Sequence, residues 1–177
     1  MIRKIVLTTE PSLRQKSKPV AKVDKKIKDL IKDLRDTLSI QKDPEGVGLA
    51  APQIGKNLRV FLAKYKSFER VVINPEITKI EDKKNTDSKK GSKKEILEGC
   101  LSLPNYYGPL KRASKVTIKY INEDGNVVVE TFEGFHAQII LHEIDHLEGV
   151  LFIDHLLEES KPLYKVDGEE WEEVELV

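Results

Sequence analysis

The stretch that most restricts the fold of this chain is His142-Glu143-Ile144-Asp145-His146, which lies within an apolar segment. Histidines four residues apart lie on the same face of a helix, so both imidazole rings can reach one metal ion. Glu143 follows the first histidine, where a carboxylate can act as a general base on water held by that ion. Two surface histidines on an ordinary helix are the structural alternative. Apolar flanks favour the metal site, because buried polar side chains need partners; the flanking residues are Phe135, Ala137, Ile140, Leu141, Ile144 and Leu147.

Charge and composition exclude several classes of protein. The 177 residues suffice for one domain with a sizeable core, and the 30 basic and 30 acidic residues cancel. We expect no direct nucleic-acid binding and no membrane association, since the chain has neither a charge excess nor a long apolar run. Residues 1–7 become polar too early for a secretory signal, so the cytoplasm is the expected compartment. We also expect a monomer.

The spacing of apolar residues predicts both helices and strands. Apolar side chains at three- and four-residue steps indicate a helix from Asp24 to about Gln41, with Asp24 suited to cap its start. Strands are predicted in four segments, 59–63, 69–73, 114–122 and 127–132. Asp124-Gly125 separates the last two, which is typical of a β-hairpin, and this hairpin leads into the histidine helix.

Small residues dominate the segment from Gly46 to Gly55, which also contains Gln53. Glycines let the backbone approach a ligand or a neighbouring strand closely. The segment lacks the Gly-Lys-Ser/Thr ending of a phosphate loop. It also lacks the glycine spacing and the strand–helix–strand context of a dinucleotide-binding fingerprint. A tight turn between helix and sheet is an equally good interpretation of this segment taken alone.

Two segments are dominated by charge. Lysines are concentrated in residues 79–94, which predicts an exposed loop because so few apolar side chains cannot order the segment. Acidic residues dominate residues 158–177, which predicts a solvated end that is partly helical or frayed. Between and around these segments we find no repeat or linker, so we predict one catalytic domain over residues 1–177.

Cys100 is the only cysteine, so the chain cannot form an intramolecular disulfide. It lies in an apolar, strand-like run, where a buried structural thiol is the simplest interpretation. A catalytic zinc-type site, however, needs three protein ligands and one open position, and the two histidines supply only two. Cys100 is one candidate for the third ligand. The other candidates follow the histidine helix: Glu148, Asp154, His155, Glu158 and Glu159.

Three motifs, in this order, resemble the signature of the peptide deformylases: Gly46-Val47-Gly48-Leu49-Ala50-Ala51-Pro52-Gln53, Glu98-Gly99-Cys100-Leu101-Ser102 and His142-Glu143-Ile144-Asp145-His146. The resemblance implies an α+β fold, with small antiparallel β-sheets packed around a central helix that contains the two histidines. It implies removal of the N-formyl group from the initiator methionine of new polypeptides, with release of formate. It further implies one divalent ion, Fe2+ in the cell, for which Zn2+, Ni2+ or Co2+ can substitute.

The same resemblance implies a role for each residue of the site. Glu143 takes a proton from water and delivers it to the leaving amine, while Gln53 and the backbone N–H of Leu101 stabilise the oxyanion. The implied metal ligands are Cys100, His142 and His146. The residues expected to pair with an extended substrate are Gly46, Val47 and Gly48. The substrate is a formylmethionyl nascent peptide, which implies transient proximity to the ribosome, although the acidic C-terminal segment is not a basic ribosome anchor.

Two other functions compete with this interpretation. One is a zinc-dependent endopeptidase whose third ligand follows the histidine helix, and the other is a closed structural metal site in a non-catalytic binding module. The second would require a fourth protein ligand in the open position. The chain departs from the family pattern at Leu141, where glutamine is common. We assign His136 and His155 to structural roles.

Overall fold

The computed structural model describes residues 1–42, 45–82 and 97–176. The α-helices formed by these residues are α1 (Lys25–Ser39), α2 (Gly134–Glu148) and α3 (Phe152–Glu158). The strands are β1 (Gly48–Ala50), β2 (Val60–Tyr65), β3 (Phe68–Glu81), β4 (Leu97–Cys100), β5 (Leu103–Pro109), β6 (Lys115–Ile121), β7 (Val127–Glu133), β8 (Leu163–Asp167) and β9 (Glu170–Val174). Single turns of 3-10 helix lie at Pro11–Arg14 and Ala51–Ile54.

The strands form two antiparallel sheets, one with the order β1-β2-β3-β6-β7 and the other with the order β4-β5-β8-β9. Because each lies at the end of its sheet, β1 and β4 are edge strands, and both contribute residues to one cleft. The observed architecture confirms the coarse prediction of antiparallel sheets accompanied by few helices. None of the helices among the described residues has the length and apolar character needed to span a membrane.

Helix α1 forms and packs as its sequence pattern predicts. Asp24 caps its start by accepting a hydrogen bond from the Ile27 N–H at 3.1 Å. The apolar side chains at helical spacing are buried against β1 and β2, and fully burying each one stabilises the fold by roughly 1.5–3 kcal/mol. These side chains are Ile27, Leu30, Ile31, Leu34 and Leu38. The predicted helix is therefore confirmed, although it ends at Ser39, before the predicted Gln41.

Helix α2 contacts strands of the five-stranded sheet, namely β1, β2, β6 and β7. Gly149 ends the helix in the left-handed conformation, with φ of 74°. A Cβ at this position would lie 2.5 Å from the Arg14 carbonyl oxygen, so the N-terminal segment also requires glycine there. Several side chains of α2 are completely inaccessible to solvent, which holds the helix and its histidines in one position: Ala137, Ile140 and Leu147.

The C-terminal segment is ordered differently from the prediction. Helix α3 ends at Glu158, and β8 and β9 then form a hairpin whose first strand pairs with β5. Gly168, with φ of 60°, occupies the turn between the two strands. The prediction of a partly helical or frayed end is therefore wrong. The prediction rested on the many glutamates and did not consider the β-favouring residues between them. Of these residues, Leu163 is buried and Val174 is half-buried against the core.

The lysine-rich segment begins in a strand rather than in a loop. Residues 79–81 complete β3, where Lys79 pairs with Thr117 and Glu81 with Lys115 of β6. For these residues the predicted exposed loop is wrong, because the long β3 continues its ladder with β6 beyond the apolar part of its sequence. Residues 83–94, the rest of the predicted loop, lie outside the described residues.

Candidate metal centre

Helix α2 brings His142 and His146 together. The four-residue spacing places their rings on one face, with centroids 4.9 Å apart at an angle of 75°. His146 is 1% exposed, and His142 lines the cleft between the edges of the two sheets. Neither ring is therefore open to bulk solvent, which excludes the surface-histidine alternative.

Cys100 completes a group of three metal-ligating side chains. It is the last residue of β4, and its Sγ lies 3.3 Å from Nε2 of His146. One ligand atom from each of Cys100, His142 and His146 lies within 4.8 Å of the others. Among the described residues, none of the downstream candidates belongs to such a group. Three of them have side-chain partners elsewhere: Glu148 pairs with Arg59, Asp154 with Arg14, and His155 with Asp145.

The donor set and its spacing fit a divalent ion. In tetrahedral coordination a thiolate about 2.3 Å and an imidazole about 2.0 Å from the ion are about 3.5 Å apart, close to the observed Cys100–His146 separation. Oε2 of Glu143 is buried and has no hydrogen-bond partner among the described residues. Buried carboxylate oxygens rarely lack partners, so this atom faces a position that a bound group would fill. If these three side chains held an ion, it would keep one open coordination position, as in a catalytic site.

Burial and the histidines determine the ionisation of Cys100. Burial raises the pKa of its thiol. The charges and hydrogen bonds of His146 and His142 lower that pKa by more than burial raises it, so the net pKa lies well below the ordinary value. Thiolate is the form that binds a metal ion. The protein therefore favours the ligating form of Cys100.

Glu98 and Arg112 orient His142, and the sequence patterns identified neither role. Oε1 of Glu98 lies 2.6 Å from Nδ1 of His142, which leaves Nε2 as the ligand atom. Arg112 donates to both oxygens of the Glu98 carboxylate, at 3.0 and 2.6 Å. Burial raises the pKa of Glu98, but the charge and hydrogen bond of His142 and those of Arg112 lower it to about 2. Glu98 was visible in a motif, whereas no local pattern marks Arg112.

Glu143 lies in the cleft as a buried carboxylate with an altered acidity. Burial is the main cause that raises its pKa, and the charges of the neighbouring histidines lower it in part, which leaves the pKa at about 7. A general base functions best when its pKa lies near the working pH. A Cβ at Gly48 would lie only 2.2 Å from Oε1 of Glu143, so glycine at this position of β1 makes room for the carboxylate.

Gln53 is held with its amide N–H beside Cys100. It lies in the 3-10 turn after β1, where its Oε1 accepts a hydrogen bond from the Ala50 N–H at 2.9 Å. Its Nε2 donates to Oγ of Ser102 at 3.1 Å and lies 3.5 Å from Sγ of Cys100. These contacts fix which end of the amide faces Cys100. Ser102, which is fully buried, is a further site residue that the motif contained without indicating its role.

The cleft has a volume of about 290 Å³ and is lined by the other predicted site residues, Gly46, Val47, Gly48 and Leu101. The sequence suggested that glycine is needed at position 46 to admit the substrate, but the structure shows a packing reason for it. A Cβ there would lie 2.6 Å from Cδ1 of Leu38 and 3.0 Å from Cβ of Gln41, so the glycine allows packing against the end of α1. His136, predicted to be structural, stacks on Phe68 with centroids 4.1 Å apart.

Comparison with known proteins agrees with this geometry. The family model for polypeptide deformylase matches residues 2–162. The chain belongs to the polypeptide deformylase family. It is 45% identical over 155 residues to the peptide deformylase of Pseudothermotoga lettingae, covering 87% of this chain and 82% of that protein. It is 43% identical over 162 residues to peptide deformylase 2 of Clostridium acetobutylicum, covering 90% and 99% of the two proteins. Polypeptide deformylases are metal-dependent enzymes, which agrees with the Cys100, His142 and His146 group.

A solved structure of the same family shares the fold. The crystal structure of peptide deformylase from Thermus thermophilus is similar with a TM-score of 0.77 and 39% identity, covering 89% of this chain and 87% of that one. The predicted relationship to the peptide deformylases is therefore confirmed by both sequence and fold. The deformylase fold accounts for the two sheets, whose edges border the candidate metal centre.

Proposed function

We propose that this chain is a metal-dependent hydrolase that removes the N-formyl group from the initiator methionine of nascent polypeptides. The observation that supports this most directly is the convergence of Cys100, His142 and His146 beside the buried carboxylate of Glu143, in a chain of the deformylase family. The reaction breaks the formyl C–N bond, and water adds across it to yield formate and a free α-amine. We further propose that residues 1–177 act as one catalytic domain arranged around the histidine helix α2.

In this proposal Cys100, His142 and His146 hold one divalent ion. An ion held there supplies a Lewis acid, which polarises a carbonyl and lowers the pKa of a coordinated water towards about 7. Glu98 supports the function indirectly, because it holds Nδ1 of His142 and so fixes the ring in the orientation that exposes Nε2. We propose Fe2+ as the native ion by analogy with the family; the same ligand atoms also suit Zn2+, Ni2+ or Co2+.

Glu143 is the proposed general base and acid. Its pKa of about 7 lets the carboxylate accept a proton from the attacking water and release it again at neutral pH. The proton then passes to the amine nitrogen as the C–N bond breaks, since the amine is a poor leaving group without it. Glu143 performs both transfers without being a metal ligand.

Gln53 and the backbone N–H of Leu101 are the proposed oxyanion donors. The carbonyl oxygen of the formyl group gains negative charge during attack, and a preorganised donor at that point contributes about 3–4 kcal/mol to catalysis. Gln53 is preorganised because its Oε1 is already bound by the Ala50 N–H. Its Nε2 then has one direction available, towards Cys100 and Ser102.

The proposed substrate path follows the edge of β1. Among the residues that the structure describes, this strand pairs only with β2, so its other edge can bind an extended peptide as an added strand. Gly46, Val47 and Gly48 would contact the peptide backbone there, and Val47, Leu101 and Ile139 are the proposed walls for the methionine side chain. We propose that the protein acts as a monomer, close to the ribosome, on formylated nascent peptides, without binding nucleic acid directly.

Formate release from formyl-Met-Ala-Ser tests this function. Protein prepared without oxygen and loaded with Fe2+ or Ni2+ should release formate, and Glu143→Gln should retain the ion but lose most of the activity. Glu158→Ala is a matched control, since an endopeptidase with a downstream third ligand would lose its ion in that variant. No formate from ion-loaded wild-type protein would reject the deformylase function and favour a structural metal module. Loss of the ion in Glu143→Gln would reject the role given to the glutamate.

A further inference from the structure

The C-terminal hairpin extends a sheet that borders the cleft. The match to the deformylase family model ends at residue 162, and β8 and β9 follow that point. Strand β8 pairs with β5, which contributes Leu103, Asn105, Tyr106 and Tyr107 to the cleft lining. This segment of the chain is therefore connected to the cleft through β5.

Three aromatic residues form a continuous surface on the outer side of this sheet. Tyr107 of β5 lies opposite Tyr164 of β8, and directly opposed residues of antiparallel strands share a face. The ring centroid of Trp171 lies 5.8 Å from that of Tyr107 and 6.4 Å from that of Tyr164. Trp171 is 52% exposed, so its ring is accessible to a ligand. We name Tyr107, Tyr164 and Trp171 the aromatic platform.

Tyr107 connects the aromatic platform to the cleft. Its ring covers the backbone of Gly99, where a Cβ would lie 2.7 Å from Cε1 of the tyrosine. Gly99 immediately precedes Cys100, and both Gly99 and Tyr107 line the cleft. Tyr107 therefore belongs both to the cleft lining and to the aromatic platform.

The chemistry of the platform favours a positively charged side chain. The faces of tryptophan and tyrosine rings attract ammonium and guanidinium groups. Glu173 is paired with Tyr164 in the β8–β9 register, so its carboxylate lies on the same face as the rings.

We propose that the aromatic platform is a subsite for a lysine or arginine of the formylated peptide, a few residues after the formylmethionine. This inference rests on the proposed deformylase function. Neighbouring strands are about 4.8 Å apart, so the platform extends about 10 Å from β5 to β9, the length of roughly three residues of extended peptide. Peptides with the basic residue at the second, third or fourth position identify which of them reaches the platform. Trp171 and Glu173 are the residues that determine this preference.

Paired peptides test the subsite. The kcat/KM for formate release is measured on formyl-Met-Ala-Ser-Arg and formyl-Met-Ala-Ser-Gln, and again with arginine or glutamine at the second or third position. We expect the arginine peptide to be preferred about two- to five-fold at one of these positions, the size of an exposed cation–π contact. Trp171→Leu, which keeps an apolar side chain but removes the ring face, should bring this ratio close to one. Glu173→Gln should lower it.

The ratio of two rates within one preparation does not depend on folding yield or ion content. Glu170→Gln is the matched control, because it removes one charge from β9 on the opposite face and should leave the ratio unchanged. Equal rates for the two peptides in wild-type protein at all three positions would overturn the subsite. An unchanged preference in Trp171→Leu would overturn it as well. Failure to release formate from any peptide would instead reject the deformylase function itself.

Discussion

Gly48→Ala should disable the site by displacing Glu143. The added Cβ would lie 2.7 Å from Cδ of Glu143 and 2.2 Å from its Oε1. Non-bonded carbon atoms approach to about 3.5 Å, so the carboxyl carbon has to move by about 0.8 Å. β1 is held by its pairing with β2, where Gly48 lies opposite Ala63, and α2 is held by its buried side chains. The carboxylate is therefore the group that moves.

A displacement of this size predicts a large loss of rate with the ion retained. Moving a reacting group by about 1 Å from its productive position costs on the order of 100-fold in rate. We expect kcat on formyl-Met-Ala-Ser to fall by about that factor, because Glu143 no longer reaches both the water and the amine. The three atoms nearest the new methyl group all belong to Glu143, so we expect the ion content measured on the same sample to equal that of the wild type.

A double-mutant cycle with Glu143→Gln identifies which group the new methyl affects. If Gly48→Ala acts through the carboxylate, it should lower the residual activity of Glu143→Gln only slightly, since coupled residues are not additive. An equal, roughly 100-fold loss in both backgrounds would refute the argument. So would a raised KM with an unchanged kcat, because the methyl group would then obstruct the peptide at the edge of β1.

Four further changes have defined outcomes. Cys100→Ser should bind the ion more weakly and lose activity in proportion, because a hydroxyl is a harder and rarely ionised ligand; ion content and formate release on one sample measure both. Gln53→Ala should lower kcat by about 100- to 1,000-fold with the ion retained, and a normal kcat would exclude it as an oxyanion donor. Arg112→Met should lower the free energy of unfolding by about 3–5 kcal/mol in urea titrations, because the buried Glu98 carboxylate loses both guanidinium hydrogen bonds and keeps only His142 as a close partner. Removing the ion with a chelator should lower the melting temperature, since a ligand that binds only the folded state stabilises it; identical melting curves would contradict such a site.

Local sequence patterns predicted the elements whose side-chain period is regular. The amphipathic α1 follows from apolar residues at helical spacing, and the β6–β7 hairpin follows from alternation around Asp124-Gly125. The C-terminal hairpin was missed because glutamates conceal its alternation, and pairing with β5 supplies an order that the segment does not reveal alone. Tertiary contacts of this kind override local propensity.

The sequence also predicted part of the candidate metal centre. The spacing of His142 and His146 determines that both rings lie on one helix face, whatever the helix packs against. The third ligand was ambiguous by spacing alone, and the resemblance to the deformylases was needed to favour Cys100 over acidic residues nearer in sequence. Distance along the chain does not report distance in space once a sheet edge is folded against a helix.

The sequence by itself therefore determined the residue types, the helix that presents two imidazoles, and the family to which the chain belongs. Only the tertiary structure determined that Glu98 holds His142, that Arg112 neutralises Glu98, and that Gly48 makes room for Glu143. These contacts join residues from different elements. Their strength depends on burial, because a charge or a missing methyl group has a large effect only where water and free space are absent.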